Sequence, residues 1–119
     1  MWWTEVVLED DAQLWIDGRL LPAREATVAA IDHGLTVGDG AFETLQVING
    51  RPFAITRHIN RLHTTLEALA LPAPDHDLLS MAMSEVIAAN AVTAGRLRLT
   101  VTGGDGPLGS GAAYGTVRI

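Results

Sequence analysis

The alternation of apolar and polar residues predicts two β-hairpins in the first half of the chain. The dipeptide Asp17-Gly18 separates two short apolar runs, residues 14–16 and 19–21, and it tolerates the positive φ angles of a tight turn. A second hairpin is predicted over residues 41–48 and 51–55, with its turn at Asn49-Gly50. Because side chains alternate across a strand, its first strand has two faces. Phe42, Thr44, Gln46 and Ile48 share one face, and Glu43, Leu45 and Val47 share the other.

Apolar residues at three- and four-residue spacing predict two helices in the middle of the chain. The first is predicted to be capped by Thr56 and to run to about residue 69, with Arg57, His58 and Arg61 away from its apolar stripe. The second follows the proline-containing segment 71–74, with Asp75 or Asp77 as its cap. The predicted buried positions are Ile59, Leu62, Leu66 and Leu69 in the first helix, and Leu79, Met83, Val86, Ile87 and Asn90 in the second.

The last part of the chain returns to a strand pattern. Residues 96–102 alternate strictly and predict a half-buried strand, a glycine-rich loop follows over residues 103–111, and a last short strand is predicted over residues 113–119. Together these elements predict an α+β fold, an antiparallel sheet of hairpins with two helices in one small domain. Because the last predicted strand reaches the final residue, we expect the chain to be a fragment of a longer protein.

Composition narrows the chemistry that the chain can perform. All eight basic residues are arginine, and the chain has no lysine and no cysteine. This excludes a Schiff-base or P-loop lysine, a thiolate metal site and a disulfide within these 119 residues. The net charge of −6, with scattered arginines, argues against nucleic acid as a partner. The four histidines lack metal-ligand spacing, so no metal is predicted.

No signal for export or membrane insertion is present in the sequence. The first residues lack a basic and apolar signal peptide, and no apolar run reaches the roughly 18 residues that a membrane span needs. We therefore expect a cytoplasmic protein without a membrane segment.

Four local features are candidates for chemistry, and each also has an ordinary structural explanation. The glycine-rich segment 32–44 precedes a strand and not a helix, which excludes a dinucleotide fingerprint and favours turn chemistry. Arg61, three residues after His58, has a planar fork of donors that suits a phosphate. The alternative interpretation is an ordinary arginine on a solvent-exposed helix face. The loop over residues 103–111 either presents backbone N–H groups to an anion or is flexible, and Asp105 is its only charge. Glu43 is a candidate general base, but exposed strand carboxylates are common, so it is interpreted as an ordinary one.

Taken in order, five motifs indicate a family. They are Trp15-Ile16-Asp17-Gly18, Asp32-His33-Gly34, Gly38-Asp39-Gly40-Ala41-Phe42-Glu43-Thr44, Asn49-Gly50-Arg51 and His58-Ile59-Asn60-Arg61-Leu62. The ordered set resembles the fold type IV pyridoxal-phosphate enzymes, which include branched-chain aminotransferases, D-amino acid aminotransferases and 4-amino-4-deoxychorismate lyases. The resemblance covers nearly the whole chain as the N-terminal small domain of these enzymes, and it implies pyridoxal 5'-phosphate as the cofactor.

The resemblance implies roles for four residues. Arg61 matches the arginine that holds the cofactor phosphate, and His58 matches a histidine that supports the phosphate-binding turn. Phe42 and Thr44 match positions on the substrate side. The family's catalytic lysine lies in the C-terminal domain that follows. Since no lysine is present here, we expect no catalytic residue in this chain and no activity from it alone.

Two reactions of the family and one function of another class are compatible with these residues. The glycine-rich loop fits a lyase or an uncharacterised aminotransferase better than a D-amino acid aminotransferase. The first reaction is that of the lyase, which converts 4-amino-4-deoxychorismate into 4-aminobenzoate and pyruvate in folate biosynthesis. The second reaction is that of an amino-acid aminotransferase of the same fold. The function of another class is a lysine-free binding module without catalysis. By resemblance, the partners are a small-molecule substrate, the chain's own C-terminal domain and a second copy in a homodimer of the full-length enzyme.

Overall fold

The computed structural model describes residues 11–109 and residue 119. Within them the elements are β1 (Gln13–Ile16), β2 (Arg19–Pro22), α1 (His33–Thr36), β3 (Gly40–Ile48), β4 (Arg51–Pro52), α2 (Ile55–Ala68), α3 (His76–Ala89) and β5 (Ala94–Thr102). The strands form two antiparallel sheets, β1-β2 and β4-β3-β5. This arrangement confirms the predicted α+β fold.

The first hairpin forms where Asp17-Gly18 predicts it. β1 and β2 pair in antiparallel register over their full length. Asp17 and Gly18 have φ angles of +47° and +91°, as the turns of two-residue hairpins require. The hairpin is tied to α3, because the Asn90 amide accepts from the backbone N–H of Gln13 and donates to its carbonyl.

The second sheet depends on a long pairing that the sequence pattern did not predict. β3 and β5 pair along all nine residues of each strand. The turn at Asn49-Gly50 forms as predicted, with φ angles of +51° and +72°, but β4 has only two residues. Pro52 has no N–H to extend the ladder, Ala54 takes a left-handed conformation, and Ile55 begins α2. The second strand of this hairpin therefore forms, but its predicted end at residue 55 is wrong.

The two faces of β3 agree with the predicted alternation. Glu43, Leu45 and Val47 are buried, whereas Phe42, Thr44, Gln46 and Ile48 are exposed. β5 confirms the half-buried strand predicted over residues 96–102 and begins two residues earlier, at Ala94. The last strand, predicted over residues 113–119, lies outside the described residues apart from Ile119.

The first predicted helix forms as α2, with different ends. It begins after Ala54, whose side chain makes no capping hydrogen bond, and Thr56 lies inside its first turn, so the predicted Thr56 cap is wrong. The stripe of Ile59, Leu62 and Leu66 is buried as predicted. Leu69, however, is 47% exposed, because it lies beyond the last helical residue and no longer follows the helical period.

The second predicted helix forms as α3. Of its two candidate caps the structure selects Asp75, whose carboxylate accepts from the N–H groups of Asp77 and Leu78. Val86 and Asn90 are only half-buried, because they lie beside the first hairpin and not under the larger sheet. The buried positions of α3 are Leu79, Ala82, Met83 and Ile87.

The main core lies between one face of the larger sheet and the two long helices. Its buried side chains come from both, namely Leu45, Leu99 and Val101 from the sheet, Ile59, Leu62 and Leu66 from α2, and Leu79 and Met83 from α3, together with Leu71 between the helices. The other face of β3 and β5 is largely exposed. Within the described part of the chain, no helix is long and apolar enough to cross a membrane.

We expect Gly40→Ala to destabilise the protein by about 1–3 kcal/mol, the usual cost of overpacking. A Cβ atom at Gly40 would lie 2.6 Å from the backbone oxygen of Val101, and this backbone cannot move aside without disturbing the β3–β5 ladder. The measurement is the midpoint of urea unfolding of the full-length protein. Gly109→Ala is the control, because its Cβ would meet nothing within 4 Å. Equal losses in the two variants would contradict the prediction.

Candidate functional site

Two motifs that are distant in the sequence meet between β3 and α2. Glu43 belongs to the glycine-containing segment 38–44, and β3 directs it to the inner face, where only 6% of the residue is exposed. α2 packs on this face and carries His58 and Arg61 three residues apart, a spacing that puts both on one side of the helix. The three side chains form one cluster, which we call the Glu43 cluster.

Hydrogen bonds join all three side chains of the Glu43 cluster. Arg61 donates twice to the carboxylate, from Nε to Oε1 at 2.7 Å and from Nη2 to Oε2 at 2.6 Å. His58 Nδ1 lies 2.7 Å from the same Oε2. Since a carboxylate only accepts, the His58 proton belongs on Nδ1. The 3.4 Å approach of Arg61 Nη2 to His58 Nδ1 then follows from two donors sharing one oxygen.

The cluster fixes the charges of its members. The hydrogen bonds from Arg61 hold the pKa of Glu43 below its ordinary value, burial acts in the opposite direction, and the hydrogen bond from His58 adds to the lowering. The same contact with Glu43 raises the pKa of Arg61. Glu43 and Arg61 are therefore both charged at neutral pH.

The interpretation of Glu43 as an ordinary exposed carboxylate is wrong. Its carboxylate is buried and holds the cationic Arg61, and the sequence contained a signal for this. Glu43 shares its strand face with Leu45 and Val47, and a charged residue on an apolar face needs a partner. The predicted cofactor residues Arg61 and His58 meet at this carboxylate. Arg57, on the same helix, is exposed and makes no ion pair with any described residue.

Phe42 and Thr44 lie on the opposite, outer face of β3. Phe42 is 56% exposed, and the Arg98 guanidinium carbon lies 3.8 Å from the centre of its ring. Arg98 is directly opposite Thr44 in the β3–β5 register, and its Nε donates to Thr100 Oγ1 at 3.2 Å. Arg98 was predicted only as a strand residue. The alternation along β5, which gives Arg96 and Arg98 the same face, was the available signal.

The predicted cofactor residues, which α2 carries to the inner face of β3, and the predicted substrate residues on its outer face thus lie on opposite sides of one strand. At the level of Phe42, Glu43 and Thr44, β3 is paired with β5 on one edge, whereas β4 pairs only with Val47 and Ile48. The other edge of this part of β3 has no strand partner among the described residues. A ligand at this open edge can therefore approach residues from both faces.

The segment that begins with Asp32 supports the neighbouring loop. The Asp32 carboxylate, fully buried, accepts from Gly34 N at 2.7 Å and from Thr102 Oγ1 at 2.9 Å. The His33 ring is fully buried, and its Nε2 lies 2.7 Å from the carbonyl oxygen of Pro107, so Nε2 carries a proton. The first half of the glycine-rich loop is therefore held against α1 and is not free of contacts. The loop residues from 110 onward lie outside the described residues.

No arrangement of ligands for a metal is found in the described part of the chain. A cluster of at least three histidine, cysteine, aspartate or glutamate side chains able to hold a metal ion is absent from residues 11–109.

Comparison with known families decides the membership of the chain. A family model described as amino-transferase class IV matches residues 40–118, which includes all three residues of the Glu43 cluster. The chain belongs to the amino-transferase class IV family. This membership confirms the resemblance to fold type IV pyridoxal-phosphate enzymes drawn from the five motifs. Family members that are similar to the chain carry more than one activity in their names.

Three class IV proteins illustrate this range. A D-alanine aminotransferase of Listeria innocua is 31% identical over 75% of the chain and 31% of its own length. The structure of 4-amino-4-deoxychorismate lyase from Pseudomonas aeruginosa is 37% identical, with a TM-score of 0.70 over 87% of the chain and 36% of its own. A T.th. branched-chain amino acid aminotransferase, solved with pyridoxamine 5'-phosphate, has a TM-score of 0.82 at 22% identity over 91% of the chain and 37% of its own, which supports the fold.

The chain spans about a third of the length of these class IV relatives. The family depends on pyridoxal phosphate, in line with the pyridoxamine 5'-phosphate in the T.th. aminotransferase structure. The family therefore shares a cofactor and a fold, while the reaction differs from one relative to another.

We expect the Glu43 cluster to stabilise the folded protein at neutral pH and to lose this contribution as the pH falls. Because folding lowers the pKa of Glu43, this contribution is complete above pH 4.5, the ordinary glutamate pKa, and is lost as the pH falls through the folded-state value. Glu43→Gln cannot bind this proton. Its free energy of unfolding should be lower at neutral pH and should decline less steeply below pH 4.5.

The measurement is urea unfolding of the full-length protein at a series of pH values between about 2.5 and 7. Glu25→Gln is the matched control, since Glu25 lies on an exposed segment with 57% of its side chain accessible, and it should follow the wild-type profile. Parallel profiles for the wild type and Glu43→Gln would mean that Glu43 carries no such pH dependence.

Proposed function

We propose that this chain is the N-terminal part of a pyridoxal-phosphate lyase that converts 4-amino-4-deoxychorismate into 4-aminobenzoate and pyruvate, a reaction of folate biosynthesis. One observation carries the proposal. The ion pair between Arg61 and Glu43 joins two of the sequence motifs that resemble this family into one site. The cation predicted to hold the cofactor phosphate is therefore built into the fold by its partner motif and is not an isolated surface arginine.

The phosphate end of pyridoxal phosphate fits Arg61. A guanidinium has five N–H groups, and Glu43 takes one from Nε and one from Nη2. The edge formed by Nη1 and Nη2 still has a pair of N–H groups, and 68% of the side chain is exposed. Such an edge matches two oxygens of a phosphate. His58 would support this site through the carboxylate that it shares with Arg61.

The remaining chemistry is divided between the cofactor and residues outside this chain. When bound, pyridoxal phosphate supplies an electron sink for the substrate's reacting carbon. Covalent attachment of the cofactor needs a lysine, which these 119 residues do not contain, so we expect the chain alone to be inactive. Its own contribution is to bind and orient, with Arg61 on the phosphate and with Phe42 and Thr44 beside the substrate.

Arg98 supplies the substrate side with a positive charge that the glycine-rich loop lacks. Asp105 is the only charged residue in the loop over residues 103–111. Arg98 stacks on Phe42 and lies opposite Thr44, so the three residues form one outer-face surface. A guanidinium in this position suits a carboxylate of the substrate, and the aromatic ring suits a cyclic substrate beside it.

The choice of the lyase over an aminotransferase depends on two observations. Among the solved structures, the Pseudomonas aeruginosa lyase is 37% identical to the chain, whereas the Escherichia coli branched-chain amino acid aminotransferase is 26% identical. The glycine-rich loop with Pro107 also fits the lyase better than a D-amino acid aminotransferase. An amino-acid aminotransferase of the same fold is the second candidate, since this activity is named among the similar proteins. The candidate of another class is a lysine-free binding module.

We extend the proposal to the whole protein. The chain spans about a third of its relatives, and a C-terminal domain that bears the lysine would account for the remaining length. By the family resemblance, the full-length enzyme would be a cytoplasmic homodimer that acts on a small-molecule substrate.

The test is to express the complete reading frame and to determine its mass, its visible absorption and its reactions. An enzyme of this kind has a mass well above 12.7 kDa and a visible band that borohydride abolishes. Release of pyruvate from 4-amino-4-deoxychorismate supports the lyase, and amino transfer to a 2-oxo acid without pyruvate release supports the second candidate. A mass of 12.7 kDa without a chromophore would overturn both reactions and leave the binding module.

We expect Arg61→Ala to weaken binding of pyridoxal phosphate by about 10- to 100-fold, since charge-assisted hydrogen bonds to the phosphate are lost. The measurement is a titration of the cofactor-free full-length protein, followed by absorbance. Arg57→Ala is the control, because Arg57 is exposed on the same helix and makes no ion pair with a described residue. It should bind the cofactor like the wild type, and an equal effect in both variants would contradict a specific role of Arg61.

We expect Arg98→Ala to raise the KM for a carboxylate substrate about tenfold and to change kcat much less, because it removes binding that ground state and transition state share. The measurement is steady-state kinetics of the full-length enzyme with saturating cofactor. Arg96→Ala, two residues earlier on the same face of β5, should have little effect. A loss of kcat at constant KM in Arg98→Ala would contradict the proposed binding role.

A further inference from the structure

We propose that Glu43 is a positioning residue for the phosphate site, whose carboxylate sets the plane of the Arg61 guanidinium. The inference rests on the proposed function, in which Arg61 binds the cofactor phosphate. It assigns a role to a residue that touches neither the cofactor nor the substrate and acts only through Arg61.

The geometry of the contact determines which edge of Arg61 remains for a ligand. Glu43 binds the edge formed by Nε and Nη2, with one donor to each carboxylate oxygen. Two parallel hydrogen bonds between planar groups hold those groups in nearly one plane. The remaining edge, formed by Nη1 and Nη2, therefore points in a direction that Glu43 fixes. A single hydrogen bond would leave rotation about the bond free, and two do not.

Glu43 is the fixed member of the pair. Its carboxylate side chain is 7% exposed, whereas the Arg61 side chain is 68% exposed. Glu43 also lies in the middle strand of the larger sheet, opposite Leu99, so its backbone is held on β3 by the ladder with β5. Arg61 reaches this fixed carboxylate from a helix with a long and flexible side chain. The strand residue therefore orients the helix residue.

His58 limits the freedom of the carboxylate itself. Its Nδ1–H group donates to Oε2, the oxygen that Arg61 Nη2 also uses. Arg61 and His58 project from the same helix, so the carboxylate cannot turn toward one without weakening its bond to the other. Glu43 consequently holds Arg61 in one orientation relative to α2.

Loss of Glu43 has two opposite effects on a bound phosphate. A negative charge near the anion is removed, which favours binding, and the orientation of Arg61 is lost, which opposes it. The repulsion is screened by solvent because the Arg61 side chain is mostly exposed. An unrestrained arginine at an exposed site has many rotamers to give up on binding. We therefore expect the loss of orientation to prevail.

The experiment compares two probes, pyridoxal phosphate and phosphate-free pyridoxal, on the cofactor-free full-length protein. Glu43→Ala should weaken binding of pyridoxal phosphate about 5- to 10-fold and leave the affinity for pyridoxal within about twofold of the wild type. Glu43→Gln, which keeps the volume and one acceptor oxygen, should lose less. In an Arg61→Ala background, Glu43→Ala should change neither affinity further, because the residue through which it acts is gone.

Two controls separate this role from a general effect on folding. Glu67→Ala removes an exposed carboxylate of the same helix and should bind both probes like the wild type. Circular dichroism checks that each variant is folded, and if Glu43→Ala is not, the comparison uses Glu43→Gln in both backgrounds. If Glu43 only filled space, glutamine would restore the binding of pyridoxal phosphate completely. Partial restoration therefore supports the positioning role.

The possible outcomes distinguish the inference from the function on which it rests. A wild type that binds both probes equally contradicts the proposed phosphate site and with it the inference. If Arg61→Ala weakens the binding of pyridoxal phosphate but Glu43→Ala leaves it unchanged or strengthens it, the phosphate site stands and the positioning role is wrong. An equal loss for both probes in Glu43→Ala would assign Glu43 a structural role only.

Discussion

A carboxylate buried between a strand and a helix is the constraint on which the site depends. Glu43 lies on the inner face of β3, where the neighbouring positions are apolar. Burial of an unpaired charge there would be strongly unfavourable. Arg61 and His58 compensate with three short hydrogen bonds. Because removing one partner of such a group leaves the other uncompensated, α2 must keep its present position over β3 for the fold to tolerate Glu43. The same hydrogen bonds therefore stabilise the fold and orient the site.

The architecture of the larger sheet determines what this contact can serve. β3 pairs with β5 over its whole length but with β4 only at its far end. The part of β3 that carries Phe42, Glu43 and Thr44 therefore has one paired edge and one edge without a strand partner within residues 11–109. Pro52 is one cause, since it cannot extend the ladder of β4. Because β4 is short, no described strand covers the edge of β3 beside Phe42. At this edge a ligand can reach both the Glu43 cluster on the inner face and the surface of Phe42 and Arg98 on the outer face. Under the proposed function, one ligand would use both.

The sequence predicted those parts of the fold that depend on local pattern. The turns at Asp17-Gly18 and Asn49-Gly50, the two faces of β3 and the buried stripe of α2 follow from residues a few positions apart. The predictions failed where the structure depends on a partner distant in the sequence or on a strained backbone conformation. Thr56 is a good cap by type, but α2 begins after Ala54 in a left-handed conformation. The strand predicted to run to residue 55 stops at Pro52, and the pairing of β3 with β5 joins segments about fifty residues apart, which periodicity cannot reveal.

Glu43 shows how a correct local prediction can lead to a wrong assignment. The alternation correctly placed it with Leu45 and Val47, yet the interpretation of its charge treated it as exposed. The family motifs could have linked the two observations, because Glu43 and Arg61 each lie in a motif whose ordered occurrence identified the family. The ion pair gives a physical reason for that joint occurrence: a buried glutamate without the arginine is costly, and the arginine without the glutamate is unoriented. A pair of motifs that depend on each other in this way is more specific than either motif alone, which is why their order carried more information than any single residue.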